Sequence, residues 1–392
     1  MSGPAAVREL TGANLDDWDA AAVHAPGGHV YQSRAWAEHR AASGWRPRHL
    51  AVGDVRALAL QRGWTGLPGG SAYIPRGPVG PGRPWRAVDG ANRESGDRSG
   101  AGSGVSIGDG LAAIAGHLAA SGMDVIAADP EVHAEDAGYA AALMAAGFHA
   151  IPEIQPSRHR MALSLPADGD RSAIFDGIAK ATRQRIRRAE RDGVVVLRWD
   201  AVPDDHEGFQ RATEDGGVAL DRFYGLLRAT GDRRGFGFAG PAEFTTWWRR
   251  ALAGGLLVYL EAREGAADGD VLGGLLLYRH GTRLSTQHSA DRAERRRDHP
   301  GAMHLLRWRA IELALAEGRD EMDLGGVDVA GARRVPVEGE PTYGLYEHKR
   351  SFGAEWLPMA GAQELVARPW RYAAGRLTGK IARTVGRGRT GG

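Results

Sequence analysis

Residues 256–317 constrain the fold more than any other stretch of this chain. Three apolar runs follow one another: Leu256-Leu-Val-Tyr-Leu-Glu-Ala, Val271-Leu-Gly-Gly-Leu-Leu-Leu-Tyr and Arg283-Leu-Ser-Thr-Gln-His. Each has the length of a strand, and a loop with Gly and Asp joins the first two. Residues 301–317, GAMHLLRWRAIELALAE, then repeat apolar side chains at helical spacing, and Gly318 stands where a C′ residue belongs. Glu321-Met-Asp-Leu-Gly-Gly reads as a strand running into a Gly pair. Three strands, a long helix and one further strand predict a mixed α/β (α+β) unit.

The remaining sequence extends this order. Strands are expected at 158–165 and from Val194, with a basic helix, KATRQRIRRAERDG, at 180–193 between them. Further helices are expected at 216–230 and 245–253. The first half is a looser version of the same order. Asn14 to Trp18 reads as a short helix, and Ser33 as the N-cap of a second. A hairpin turns at Gly53-Asp54. Helices are expected at 110–121 and 135–146, flanking a buried strand from Met123. The stretch 83–109 is polar and Gly/Ser-rich, and reads as a mobile loop. With 392 residues the chain suits two domains. The expected division is 1–157, with 360–392 returning to pack on it, and 158–359.

Composition excludes several chemistries. The chain has no Cys, which removes disulfides, thiolate zinc sites and Cys nucleophiles. The N-terminal residues lack an apolar signal region, and no run of about 18 apolar residues occurs, so a cytoplasmic protein is expected. A net charge of +2 makes affinity for polyanions a matter of local patches. One patch is the 180–193 helix, read either as a solvated face or as a phosphate track for RNA. Another is the tail 368–392, which holds seven basic residues and no acid. It reads as a frayed terminus or as a docking segment for tRNA or an anionic membrane surface. The histidines show no HExxH and no triad spacing, so no metal site is expected.

The strand–loop–helix at 283–317 resembles acetyltransferases of the GNAT superfamily, whose loop cradles a pyrophosphate with backbone N–H groups. Here Pro300 occupies the first Gly position of that loop and donates no N–H. Either the donor is not coenzyme A or the loop is a variant one.

Motifs spread along nearly the whole chain carry a second resemblance. They are Gln32-Ser-x-x-Trp36-x-x-x-Arg40 with Gly44-Trp45; Tyr73-Ile-Pro-Arg76-Gly-Pro78; Asp129-Pro-Glu; Gly147-Phe and Ile154-Gln-Pro; Thr182-Arg183-x-x-Ile-Arg187-x-Ala189; Arg233-x-Gly-Phe236; Leu306-x-Trp308-x-Ala-Ile-x-x-Ala314 before Asp323-Leu-Gly-Gly326; and Gly344-Leu-Tyr346-x-x-Lys349-x-x-Phe-Gly353. In order and spacing they resemble the FemABX family of aminoacyl-tRNA-dependent transferases that build peptidoglycan cross-bridges.

The resemblance implies two tandem GNAT-like domains without a coiled-coil arm. It implies an enzyme that takes an amino acid from aminoacyl-tRNA, with neither metal nor coenzyme A as cofactor and no DNA partner. The acceptor would be the amine of a peptidoglycan precursor, UDP-MurNAc-pentapeptide or lipid II, the latter placing the protein at the inner membrane face. Some relatives act on a small molecule in antibiotic biosynthesis, which stays open, as does an acyl-CoA N-acyltransferase.

By the same resemblance Lys349 falls at the reaction centre, and Asp129 matches an acid considered as a base. Arg40, Trp36, Arg76, Arg233, His288 and Tyr346 fall to substrate binding. Arg40 stands where relatives often have Lys, which keeps the charge but changes donor geometry. Lys180, Arg183, Arg187 and Arg188 fall to tRNA. Only three of the 50 cationic residues are Lys. A site that keeps Lys in such a chain is one where planar, bulky Arg is expected to fail.

Overall fold

The computed structural model describes residues 6–86, 104–201, 206–234, 240–329 and 333–378. Most of the expected 83–109 loop, the end of the tail from residue 379, and Phe236 of the Arg233 motif lie outside the described residues.

In chain order the strands are β1 (Arg8–Leu10), β2 (Arg46–Val52), β3 (Val55–Gly63), β4 (Gly70–Ile74), β5 (Val125–Ala128), β6 (His149–Ala150), β7 (Arg160–Ser164), β8 (Val194–Trp199), β9 (Gln210–Arg211), β10 (Leu257–Glu264), β11 (Val271–His280), β12 (Arg283–Asp291), β13 (Glu321–Gly326), β14 (Glu355–Leu357) and β15 (Gln363–Val366). The helices are α1 (Arg34–Ala42), α2 (Ile107–Ala120), α3 (Ala137–Ala145), α4 (Arg171–Gly177), α5 (Lys180–Arg191), α6 (Gly216–Arg234), α7 (Pro241–Ala253), α8 (Ala302–Ala316) and α9 (Tyr343–Arg350). The chain divides into two compact units, Met1–Arg158 with Pro358–Gly392, and His159–Leu357.

The first unit holds a seven-stranded sheet in the order β1-β2-β3-β4-β5-β15-β6, with β4 and β5 parallel. α2 and α3 bury one face, where Leu111, Ile114 and Leu118 meet Leu50, Ala57 and Ile126. Trp18, Ala37, Leu58 and Leu60 form a smaller core on the other face. Between these layers sits Gln32, fully buried. Its Nε2 donates to Pro75 O at 2.6 Å, and its Oε1 accepts from Leu58 N at 2.6 Å. It thereby ties the turn after β4 to β3. Gly77 must lack a side chain here, because a Cβ would lie 2.5 Å from the Gln32 amide.

Two local expectations need correction. Asn14 to Trp18 is not one helix: a 3₁₀ turn covers Gly12–Leu15, and a wide helical turn follows at Ala20–His24. α2 starts at Ile107, inside the 83–109 stretch read as loop. Ser106 Oγ accepts from Asp109 N at 3.0 Å, and this cap overrides the glycines beside it. Ser33 caps α1 as expected, accepting from Trp36 N at 3.0 Å.

The second unit holds an eight-stranded sheet in the order β14-β7-β13-β12-β11-β10-β8-β9. Alternation along β10 assigns its two faces. Val258, Leu260 and Ala262 join the core under α5 and α8. Tyr259, one residue out of phase, meets Phe223 of α6, ring centroids 5.1 Å apart. Both units are mixed α/β layers, and α6, with 19 residues, is the longest of the nine helices above.

Replacing Gln32 with Ala removes both bonds while leaving Leu58 N–H and Pro75 C=O buried. We expect a loss of about 2–4 kcal/mol in urea unfolding; a change below about 0.5 kcal/mol would show that water replaces the amide.

Candidate functional site

The site of the second unit opens where β12 and β13 separate. They pair in parallel only through Arg283–Ser285 and Glu321–Asp323. On its other side β12 shifts register against β11, Leu276 facing His288 while Leu277 faces Thr286, so Gln287 is an extra residue. Such a bulge bends its strand. Lys349 of α9 points into this region.

Lys349 is 4% exposed. Its Nζ donates to Gly325 O and Gly326 O, both at 2.8 Å. Gly325 is there for steric reasons. Gly325 has φ +82°, and a Cβ on it would lie 2.8 Å from Thr286 O and 3.6 Å from Lys349 Nζ. Asp323 fixes the turn, its Oδ1 accepting from Gly325 N at 2.7 Å and its Oδ2 from buried Arg160 at 2.7 Å. Thr286 Oγ1 is buried with no hydrogen-bond partner among the described residues. Burial, then the charge of Arg307, lowers the Lys349 pKa to about 7, against the opposing pull of Asp323 and Asp328.

Arg307, from α8, has no carboxylate partner among the described residues. It is 3% exposed, and burial lowers its pKa to about 10. Nε approaches His348 Nε2 at 3.3 Å, while Nη1 is buried without a partner among the described residues. His304 and His348 meet edge to face at 4.6 Å. Burial and the neighbouring arginines hold both rings neutral, His304 at about 4. Arg185 of α5 reaches His304 Nε2 at 3.3 Å. These groups line a cleft of about 460 Å³ together with Arg292, Arg296 and His299. A buried guanidinium without a counter-charge, beside a half-neutral lysine, suits an anionic ligand.

The start of α8 offers few free backbone donors to such a ligand. Ala302 N donates to His299 O at 3.2 Å, and His304 N and Leu305 N both turn back to Gly301 O. Gly301 packs so closely on α5 that a Cβ would lie 2.2 Å from Arg185 O. With Pro300 contributing no N–H, an anion here meets side chains rather than a backbone cradle.

The other residues expected in the second unit fall around this cleft to different degrees. Arg233 closes α6 and lies 3.9 Å from Asp291, a cleft residue. His288 sits beside Phe244 and Trp248, at 5.8 and 5.6 Å, and burial lowers its pKa to about 4. Tyr346 packs on the unit's core. On α5, Lys180 and Arg187 share the exposed face opposite buried Thr182, Ile186 and Ala189. Arg183 is tied to Asp176 at 2.9 Å and Arg188 to Asp192 at 3.3 Å, which reduces the free charge of the helix. Arg307 and Thr286 were absent from the residues picked on sequence, and Arg185 entered only as one cation of the basic helix. Arg307 lies within the apolar periodicity of 301–317, and only its burial distinguishes it from a surface arginine.

In the first unit, the Arg40 guanidinium lies 5.5 Å from the rings of both Trp36 and Trp45. Asp129 is 1% exposed; its Oδ1 accepts from Tyr73 OH at 3.0 Å and from Arg76 N at 2.7 Å. Burial outweighs the Arg76 charge and raises its pKa to about 6. Arg76 has φ +48°, a left-handed conformation that a branched or bulky residue adopts at a cost. Its Nη2 donates to Ser157 O at 3.0 Å. Asp129 therefore anchors the turn that carries Arg76. Among the described residues no group of three His, Asp or Glu is placed to hold a metal.

Comparison with known proteins agrees with this geometry. Residues 178–350, most of the second unit, are similar to the family described as Acetyltransferase (GNAT) domain. The crystal structure of FemX superposes with a TM-score of 0.69 at 19% identity, covering 94% of this chain and 99% of that one. The chain thus shares the fold of FemX. More distant similarities include L-PGS from Bacillus licheniformis (TM-score 0.45, 10% identity, 84% and 86% coverage) and a conserved protein of unknown function from Bacteroides thetaiotaomicron (0.49, 12%, 92% and 98%). No curated protein sequence matches the chain.

The lowered pKa of Lys349 has a measurable sign. Its folded value, about 7, lies below the ordinary 10.5, so between these values unfolding takes up a proton and stability rises with pH. Lys349→Met removes this dependence. Its stability advantage over the natural protein should be largest below about pH 7 and shrink towards pH 10 in urea unfolding. An advantage independent of pH would mean that the amine titrates normally.

Proposed function

We propose that the protein is an aminoacyltransferase that moves an amino acid from aminoacyl-tRNA to the amine of a peptidoglycan precursor, UDP-MurNAc-pentapeptide or lipid II. The observation that carries this reading is the pairing of buried Lys349 with an uncompensated Arg307 beside a cationic cleft. The GNAT-domain match and the FemX-like fold support acyl transfer, and the FemABX resemblance of the motifs supplies the donor and acceptor.

The chemistry asks for few groups. The acceptor amine attacks the ester carbonyl, forming a C–N bond, and the C–O bond to the terminal ribose breaks. The ammonium proton leaves with the departing oxygen. Lys349 holds its Nζ toward the place where charge develops, on the carbonyl oxygen or the leaving oxygen. Such preorganised donors are worth about 3–4 kcal/mol when removed. Burial depresses Lys349 most and Arg307 adds to it, so a donor phosphate against Arg307 would remove the second cause and shift the amine towards its protonated form as the donor binds. The exposed face of α5 with Lys180 and Arg187 would meet the tRNA backbone, with Arg183 and Arg188 contributing less. In the second unit Arg233, His288 and Tyr346 would bind substrate; in the first unit Arg40 and Trp36 would do so. Asp129 would act as a positioning residue that holds Arg76.

An acyl-CoA donor fits less well, because Pro300 and the engaged amides of α8 leave little of a diphosphate cradle. The test is transfer of radiolabelled amino acids from a charged tRNA pool to UDP-linked stem peptide or lipid II, in separate reactions. Label on either acceptor is expected, and Lys349→Met should lower the rate by about 100-fold or more with the fold intact. Transfer only to a soluble small amine would move the acceptor to secondary metabolism. Acyl transfer from acyl-CoA in place of tRNA would overturn the proposal.

Asp129→Asn separates its two roles. The amide oxygen still accepts from Tyr73 and Arg76, so a positioning role predicts transfer within about tenfold of the natural protein, and a general base predicts a loss of about 100-fold or more.

A further inference from the structure

Chain from residue 369 to 378 is helical, and its inner face is anchored in the first unit. Arg368 Nη1 donates to Met123 O at 3.0 Å, and Arg371 Nε lies 3.3 Å from the fully buried Asp124. Trp64 donates to the same carboxylate at 2.7 Å and stacks on Tyr372 at 6.3 Å. Gly375 packs so tightly on Trp64 that a Cβ would lie 2.3 Å from its ring.

The outer face is of the opposite character. Trp370 is 74% exposed and Leu377 61% exposed, seven residues apart and therefore on one side of the helix. Of the chain's 11 Trp, Trp370 is the one that is exposed. Exposed Arg376 flanks this ridge, its guanidinium 5.5 Å from the Tyr372 ring. In sequence the ridge is followed by Ile381, four residues after Leu377, and by Lys380, Arg383, Arg387 and Arg389, with no acidic residue from 368 to 392.

We propose that this outer face is a docking surface for an anionic phospholipid bilayer. Trp370 and Leu377 enter the headgroup–acyl boundary, where an indole has both an apolar body and a polar edge. Arg376 meets the lipid phosphates. Charge complementarity argues for an anionic partner, and the aliphatic partner of Trp370 argues for lipid over RNA: bases stack on aromatic rings, but Leu377 offers them no such face. The inference stands independently of the transferase reading, because none of these residues belongs to the cleft of the second unit.

The test is co-sedimentation of the full chain with vesicles of phosphatidylcholine, alone or containing phosphatidylglycerol. We expect binding to the anionic vesicles only, weakening with salt. The double variant Trp370→Ser/Leu377→Ser should bind about tenfold less well with an unchanged melting temperature, since both side chains are exposed. Equal binding by the variant, or none by the natural protein to either vesicle, would overturn the proposal. So would a variant that loses tRNA affinity while vesicle binding is unaffected, which would assign the face to RNA.

Discussion

Everything at the candidate centre depends on one buried amine. Lys349 surrenders its hydration to two backbone carbonyls, and those carbonyls exist because Asp323 and a Gly pair bend the end of β13 away from β12. Neither carbonyl neutralises a charge. With Arg307 nearby and Asp323 already bonded to Arg160, the amine is held close to its titration point. An arginine would fit poorly here. It cannot give up its proton, so it would keep its charge without compensation.

The same reasoning links the GNAT architecture to a departure from it. Separated strands and a long following helix are retained, but the mouth of α8 is altered. Pro300, Gly301 against Arg185 O, and amides engaged within the first turn exchange a backbone cradle for guanidinium groups. A backbone cradle binds a compact diphosphate tightly, whereas side-chain cations tolerate a more variable backbone of phosphates. This difference favours a nucleic-acid donor in the proposed function.

Much of the framework was legible in the sequence because it rests on local signals. The runs at 256–288 became β10, β11 and β12, and the periodicity at 301–317 became α8. Ser33 and the Gly53-Asp54 turn behaved as their side-chain and backbone chemistry requires. What could not be read depends on partners distant in the chain. Arg307 carries no local mark of burial. The β12 bulge follows from pairing register, and Ser106 caps α2 from within a stretch whose composition reads as loop. The basic helix was legible as a helix, but not the loss of its free charge to Asp176 and Asp192.

Lys349 is a buried amine poised to change charge, and the composition makes that property directly measurable. With three Lys in the chain, selective ¹⁵Nζ lysine labelling gives few signals to assign. An NMR titration should place one of them, absent in Lys349→Met, near pH 7, and addition of a phosphate-bearing minihelix should move its midpoint upward. A Lys349 signal that titrates near 10, with or without the minihelix, would contradict the account.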